Sequence, residues 1–233
     1  FVNSGMMKLK QAIGIIMGAN IGTSITGWIL CLSYIGGSGG GIASIFSTAT
    51  ISAVVAVVGI VFRMFCKRSV HKNIGNIMLG FAILMTGMQM MSGAVSPLRE
   101  NPTFIKMLTM FSNPLAGILV GILFTAVLQS ASATVGVLQA LSVTGLLTFA
   151  SAFPIVLGIG VGAACPVLIS AIGANKNGKR TALVYLLNDL FGLLMWSIIF
   201  YTVNAFVHFT FMDMVMTPVS IALLNTVFRV ATV

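Results

Sequence analysis

Leu128-Gln129-Ser130-Ala131-Ser132-Ala133-Thr134 interrupts an apolar run that extends from Leu115 to Leu147. Gln129, Ser130, Ser132 and Thr134 place four hydrogen-bonding side chains within six positions of one another. In a core or a bilayer such groups must find partners, because an unpaired one is expensive to bury. One serine can bond back to the carbonyl a turn earlier, whereas four clustered groups point to a shared partner. Two readings fit: a polar contact between helices, or a break between two half-helices whose ends coordinate an ion or an anion. About 14 residues precede the break and a similar number follow it, fewer than the ~17 a full membrane span needs. The spacing predicts a re-entrant helical hairpin with Gln129 to Ala133 at its tip.

The surrounding chain sets the class. It has 233 residues, of which 58% are hydrophobic and 6% charged, and its mean hydropathy is +1.10. A soluble domain is typically about 25% charged, so this composition cannot build a water-facing surface. Several stretches reach the ~20 apolar residues that cross a hydrocarbon layer. The chain is an all-α polytopic membrane protein whose partner is the lipid bilayer. Its net charge of +9 is a matter of loop orientation and implies no nucleic acid. Cys31, Cys66 and Cys165 are isolated and read as buried thiols.

Candidate spans run from Ala12 to Leu32, Ser44 to Phe62, Ile74 to Val95, Ala152 to Ile172, Ala182 to Phe206 and Met214 to Val233. The first contains Gly18-Ala19-Asn20-Ile21-Gly22-Thr23-Ser24, and the fourth contains Gly158-Ile159-Gly160-Val161-Gly162. Glycine and hydroxyl groups at that depth predict locally unwound backbone at Gly18, Gly22, Gly158, Gly160 and Gly162. Gly36 to Gly41 is a flexible loop, 96–112 a connector, and Ala174 to Arg180 a hydrophilic loop. Met85, Met88, Met90 and Met91 are expected to be packing residues.

Phe1 to Trp28 lies without gaps over Leu141 to Leu168 at a fixed offset of 140 residues. Gly5, Ala12, Ile15, Gly18 and Gly22 meet Gly145, Ala152, Ile155, Gly158 and Gly162. Loop charge tests the repeat independently. With the basic loop Arg63, Lys67, Arg68 and Lys72 inside, alternation puts nine of the twelve basic residues inside, Lys8, Lys10, Lys176, Lys179 and Arg180 among them. The span from Ala12 then runs outward and the span from Ala152 inward. This is an inverted-topology repeat, as in secondary transporters. Residues 1–95 hold the C-terminal part of the first repeat with its connecting spans, and 113–233 hold the second. By the offset, the partner of Gln129 to Ala133 precedes residue 1, so the first hairpin is expected to be largely missing, and the apolar C-terminus looks cut.

Gln129-Ser130-Ala131-Ser132-Ala133-Thr134, followed by a glycine-rich span, resembles the sodium-dependent phosphate cotransporter family. Members carry Gln-Ser-Ser-Ser-Ala in each of two inverted repeats, each followed by Gly-Ala-Asn-Ile-Gly-Thr-Thr, and Gly18 to Ser24 nearly matches the latter. Ala131 replaces the central serine, and Gly160, Ala163 and Ala164 replace an asparagine and two threonines. Asp189 stands where the family has asparagine, and Asn225 and Arg229 replace a histidine and an asparagine.

The resemblance implies sodium-coupled symport of inorganic phosphate across the cell membrane, with Na⁺ as coupling ion and no other cofactor; a homodimer is compatible with it. Transport of another anion, proton coupling and a non-transporting membrane subunit are the alternatives. Gln129, Ser130, Ser132 and Thr134 would face Asn20, Thr23 and Ser24 across the site. Na⁺ would be held by Gln129, Ser130, Ser132, Asn20 and Thr23. Asp189, with Asn188 beside it, is the one acid in a predicted span interior, a position that marks function by default. No nucleophile–base pair or metal-ligand set accompanies the serines, which argues against an enzyme.

Overall fold

The computed structural model describes residues 1–34, 48–95, 97, 101–103 and 113–233. These residues are helical, with one isolated antiparallel bridge between Thr148 and Val215. In chain order the helices are α1 (Leu9–Cys31), α2 (Thr48–Phe65), α3 (Ser69–Val95), α4 (Pro114–Leu128), α5 (Ala131–Ser142), α6 (Phe149–Ala163), α7 (Cys165–Ser170), α8 (Lys176–Val207) and α9 (Pro218–Thr232). Several starts are written locally. The Asn113 side chain accepts from the Leu115 amide, and that of Thr217 from the Ser220 amide. In both cases proline follows, where its fixed φ suits the first turn and its missing N–H is no loss.

Hydrogen bonds between distant segments fix the directions of the helices. The Asn175 amide donates to Asn3 Oδ1, and Asn175 Nδ2 to the Asn3 carbonyl, both at 2.8 Å. The starts of α1 and α8 therefore share one end of the bundle. Ser92 Oγ donates to the Tyr34 hydroxyl at 3.2 Å, so α3 runs beside α1 in the same sense. The α2–α3 turn, with Lys67 and Arg68, then falls at the first end, together with Lys8, Lys10, Lys176, Lys179 and Arg180. At the other end Cys31 Sγ lies 3.3 Å from the Pro218 carbonyl, and the Met216 amide bonds to the Leu147 carbonyl at 2.8 Å. Consequently α6 starts where α1 finishes, and the two run in opposite senses.

Glycine sets how closely α4 follows α6. A Cβ at Gly121 would strike the Ile155 carbonyl, one at Gly158 the Ile118 carbonyl, and one at Gly162 would sit 2.6 Å from the Ile122 carbonyl. The pairing rises together along both helices, so they are parallel, and α5 then returns to the end from which α4 came. The α4–α5 unit is a helical hairpin with both feet at the end opposite the basic turns. Val135, Leu147, Leu157, Ile159, Ile221 and Phe228 belong to the core between these helices. Outward-facing side chains such as Val57, Ile77, Ile83 and Ile198 leave an apolar exterior. α1, α3, α6 with α7, and α8 are each long and apolar enough to cross a membrane.

Several sequence expectations change. α1 is unbroken from Leu9 to Cys31, so Gly18 and Gly22 sit in regular helix. α6 is likewise unbroken through Gly158, Gly160 and Gly162, and the chain turns only at Ala164, just before Pro166. In an apolar setting the i→i−4 bonds are retained, and Gly158 and Gly162 serve close packing instead of unwinding. α8 begins at Lys176 because Asn175 caps it, which converts most of the expected hydrophilic loop into helix. Met85 and Met88 are buried, whereas Met90 is exposed, and Cys66 and Cys165 are only partly buried. The Gly36 to Gly41 loop and most of 96–112 lie outside the described residues.

Two backbone features recur at the 140-residue offset. Helices start at Leu9 and at Phe149, and Gly5 and Gly145 ahead of them have φ of 77° and 74°. Only glycine adopts that conformation without strain, so this identity in the sequence alignment reflects a shared turn.

Candidate functional site

α9 lies among α1, α5, α6 and α8, and its inner face carries Asn225 and Arg229 one turn apart. Arg229 Nη1 donates to Asn20 Oδ1 on α1 at 2.8 Å and lies 3.9 Å from Asp189 Oδ1 on α8. Asn20 Nδ2 donates to the same Asp189 oxygen at 2.9 Å, and Asn188 Nδ2 at 3.3 Å. α6 contributes Gly160, where an added Cβ would lie 3.6 Å from Asp189 Cβ and Cγ. Asn20, Asp189 and Arg229 are each 2% exposed and meet one another away from solvent, and Asn225, one turn before Arg229, is 1% exposed.

The cluster is incompletely satisfied. Asp189 Oδ2, Arg229 Nε and Nη2, and both polar atoms of the Asn225 amide have no hydrogen-bond partner among the described residues. Buried polar atoms are normally paired, with protein groups or with water, so the orphaned atoms of Asp189 and Arg229 make this cluster a candidate for a polar occupant. The free guanidinium edge offers two parallel donors, a geometry suited to oxyanions.

The hairpin tip forms a second locus. Gln129 ends α4 in the left-handed conformation, φ 54° and ψ 24°, with its amide bonded to the Thr125 carbonyl at 2.7 Å. Its side chain is exposed. Ser130 caps α5: its Oγ accepts from the Ala133 amide at 3.2 Å and lies 3.3 Å from Ser132 Oγ. Thr134 Oγ1 donates to the Ser130 carbonyl at 3.1 Å. Ser130 and Ser132 line a cavity of about 380 Å³, whose other walls include Thr26, Leu30, Met88 and Met91.

The sequence-predicted residues thus fall into two groups. Asn20, Asp189 and Asn188 join the buried cluster, and Gln129, Ser130, Ser132 and Thr134 build the turn between half-helices. Thr23 bonds back to the Ala19 carbonyl at 2.9 Å and Ser24 to the Ile21 carbonyl at 2.6 Å. Among the described residues no hydrogen bond links the tip to Asn20 or Thr23. Sequence reasoning missed the partnership of Arg229 with Asn20 and Asp189, although a cation in an apolar terminal helix was a usable signal. It also missed Gln139, whose buried Nε2 donates to the Gly27 carbonyl at 2.9 Å and the Pro218 carbonyl at 3.2 Å, tying α5 to α1 and to the start of α9.

The Na⁺/Pi-cotransporter family model matches residues 1–93 and 99–220. The chain belongs to the Na⁺/Pi-cotransporter family. It is 24% identical over 196 residues to the "Putative inorganic phosphate export protein YjbB" of Escherichia coli K12, covering 84% of this chain and 34% of that protein. It is 22% identical over 194 residues to the "Uncharacterized protein YqeW" of Bacillus subtilis, covering 83% of this chain and 58% of that protein. A 70-residue stretch is 39% identical to the sodium-dependent phosphate transport protein 2A of the rat, covering 30% of this chain and 11% of that protein. The chain spans about a third of the length of YjbB. No solved structure shows significant similarity. The family and two of these relatives are named for phosphate transport.

Proposed function

We propose that this protein moves inorganic phosphate across the cell membrane, with its substrate meeting the Arg229–Asn225 face of the buried cluster. The observation that carries the reading is the set of orphaned donors there, Arg229 Nε and Nη2 and Asn225 Nδ2, in a family of phosphate transporters. A polyanion in a low-dielectric site needs charge-assisted donors, and this guanidinium edge supplies two. The N-terminus of α5, capped by Ser130, adds positive dipole and free amides at the hairpin tip. Sodium-coupled symport is the coupling we infer, with Gln129, Ser130 and Ser132 offering oxygens to Na⁺ at that tip.

The opposite senses of α1 and α6, and the shared turn at Gly5 and Gly145, support an inverted-topology repeat. The two feet of α4–α5 at one end support a re-entrant hairpin, and the basic end is then cytoplasmic. The test is flux of radiolabelled phosphate in proteoliposomes of the full-length protein, with sodium or choline gradients and with sulfate and arsenate as competitors. Sodium-dependent phosphate flux, reduced by arsenate more than by sulfate, is expected. Equal flux with and without sodium would remove the coupling, and flux of another anion alone would remove the substrate.

A further inference from the structure

Asn20 Oδ1 and Asp189 Oδ1 are oxygens of the type that ligate alkali cations, and both face one group, Arg229 Nη1, at 2.8 and 3.9 Å. We propose that the Arg229 guanidinium is a tethered cation occupying a sodium-type site between Asn20 and Asp189, so that this locus needs no free sodium ion. The inference rests on the transport reading above and deepens it. It assigns the sodium-independent part of the binding site to a residue of α9.

Two observations converge. The locus is already neutral, since Asp189 and Arg229 are the charged pair at the cluster and both are buried. A sodium ion added beside Arg229 would be a second buried cation with one carboxylate to share, which desolvation strongly disfavours. The oxygen set is also lopsided. Asn20 and Gly160 occupy matching positions at the 140-residue offset, and both adjoin Asp189. A side-chain oxygen comes from the first of these positions and none from the second. With no side-chain oxygen from the second position, the guanidinium is met by one amide oxygen and one carboxylate oxygen. Because the guanidinium is covalently held, it changes surroundings during transport but is never released, and its Nε and Nη2 edge remains for the anion.

The test uses the purified protein in nanodiscs without phosphate, measuring ²²Na⁺ binding and thermal unfolding in sodium or choline chloride. Arg229→Met vacates the site while leaving Asp189. It should gain about one sodium ion per chain and be stabilised by sodium, with a midpoint rise of roughly 3–6 °C at about ten times the dissociation constant. Arg229→Met/Asp189→Asn should lose that gain, and Arg229→Lys, which keeps a tethered cation, should not show it. If Arg229→Met folds only when sodium is present, the proposal is supported. No gain of sodium binding in folded Arg229→Met overturns it, as does an Arg229→Met that sodium cannot rescue while the double variant folds. Phosphate binding by the unsubstituted protein in the same nanodiscs is read separately. Its absence would remove the transport reading while leaving the sodium comparison interpretable.

Discussion

At the scale of single residues, the Asp189–Arg229 pair is where energetics and function meet. Removing one partner strands the other charge in the core, so Asp189→Ala should destabilise by roughly 3–5 kcal/mol. Replacing both, as Asp189→Leu/Arg229→Met, should be far less harmful than the sum of the single changes. Chemical unfolding in mixed micelles gives the double-mutant cycle, and additive losses would show that the two groups do not interact. Ser130 acts by a different route, through the cap of α5 and its oxygen at the tip. Ser130→Ala should weaken apparent sodium or phosphate affinity by about tenfold, the equivalent of ~1.4 kcal/mol, and Ala131→Ser should be tolerated. Unchanged affinities in Ser130→Ala would reduce the tip to a helix-packing contact. Asn20 and Asp189 were legible in the sequence because a polar residue in an apolar span has to be partnered. Their partners were not, because the bonds that join them link residues 169 and 209 positions apart.

At the scale of elements, the break between two half-helices was legible and the unwound spans were misread. The run from Leu115 to Leu147 carries its own break, since Gln129 ends one helix in a left-handed turn and Ser130 caps the next. Glycine is ambiguous in a sequence: it loosens backbone, yet it also lets helices touch. Only packing distinguishes the two. At Gly158 a Cβ would meet backbone of α4, so Gly158→Ala should separate α4 from α6 and destabilise by roughly 1–3 kcal/mol or more. At Gly18 an added Cβ meets nothing within 4 Å, so Gly18→Ala should stabilise α1 by about 0.5–1 kcal/mol. Thermal unfolding of the two variants checks the pair, and a loss at Gly18 equal to that at Gly158 would mean that α1 is not regular helix there.

At the scale of the whole molecule, charge and connectivity agree. The basic residues flanking α1, α2, α3 and α8 gather at one end of the bundle, in keeping with loop-charge counting. Single cysteines replacing Lys67 and Lys176 on a cysteine-free background should therefore be labelled by an impermeant reagent from the same side, and one replacing Thr210 from the other. Labelling of Lys67→Cys and Lys176→Cys from opposite sides would break the shared end. The antiparallel course of α1 and α6 was legible through the alternation of loop charge, whereas the central place of α9 was not, because nothing in its composition says which helices surround it. On the proposed function, the closed cluster around Arg229 opens to water during transport and takes phosphate. The most direct measurement is the rate at which a charged thiol reagent modifies Asn225→Cys in the full-length, otherwise cysteine-free protein in proteoliposomes, with and without phosphate. We expect modification from the aqueous phase that phosphate slows in a saturable manner while sulfate does not. A residue that is never modified, or one whose modification ignores phosphate, would contradict the central placement of the substrate.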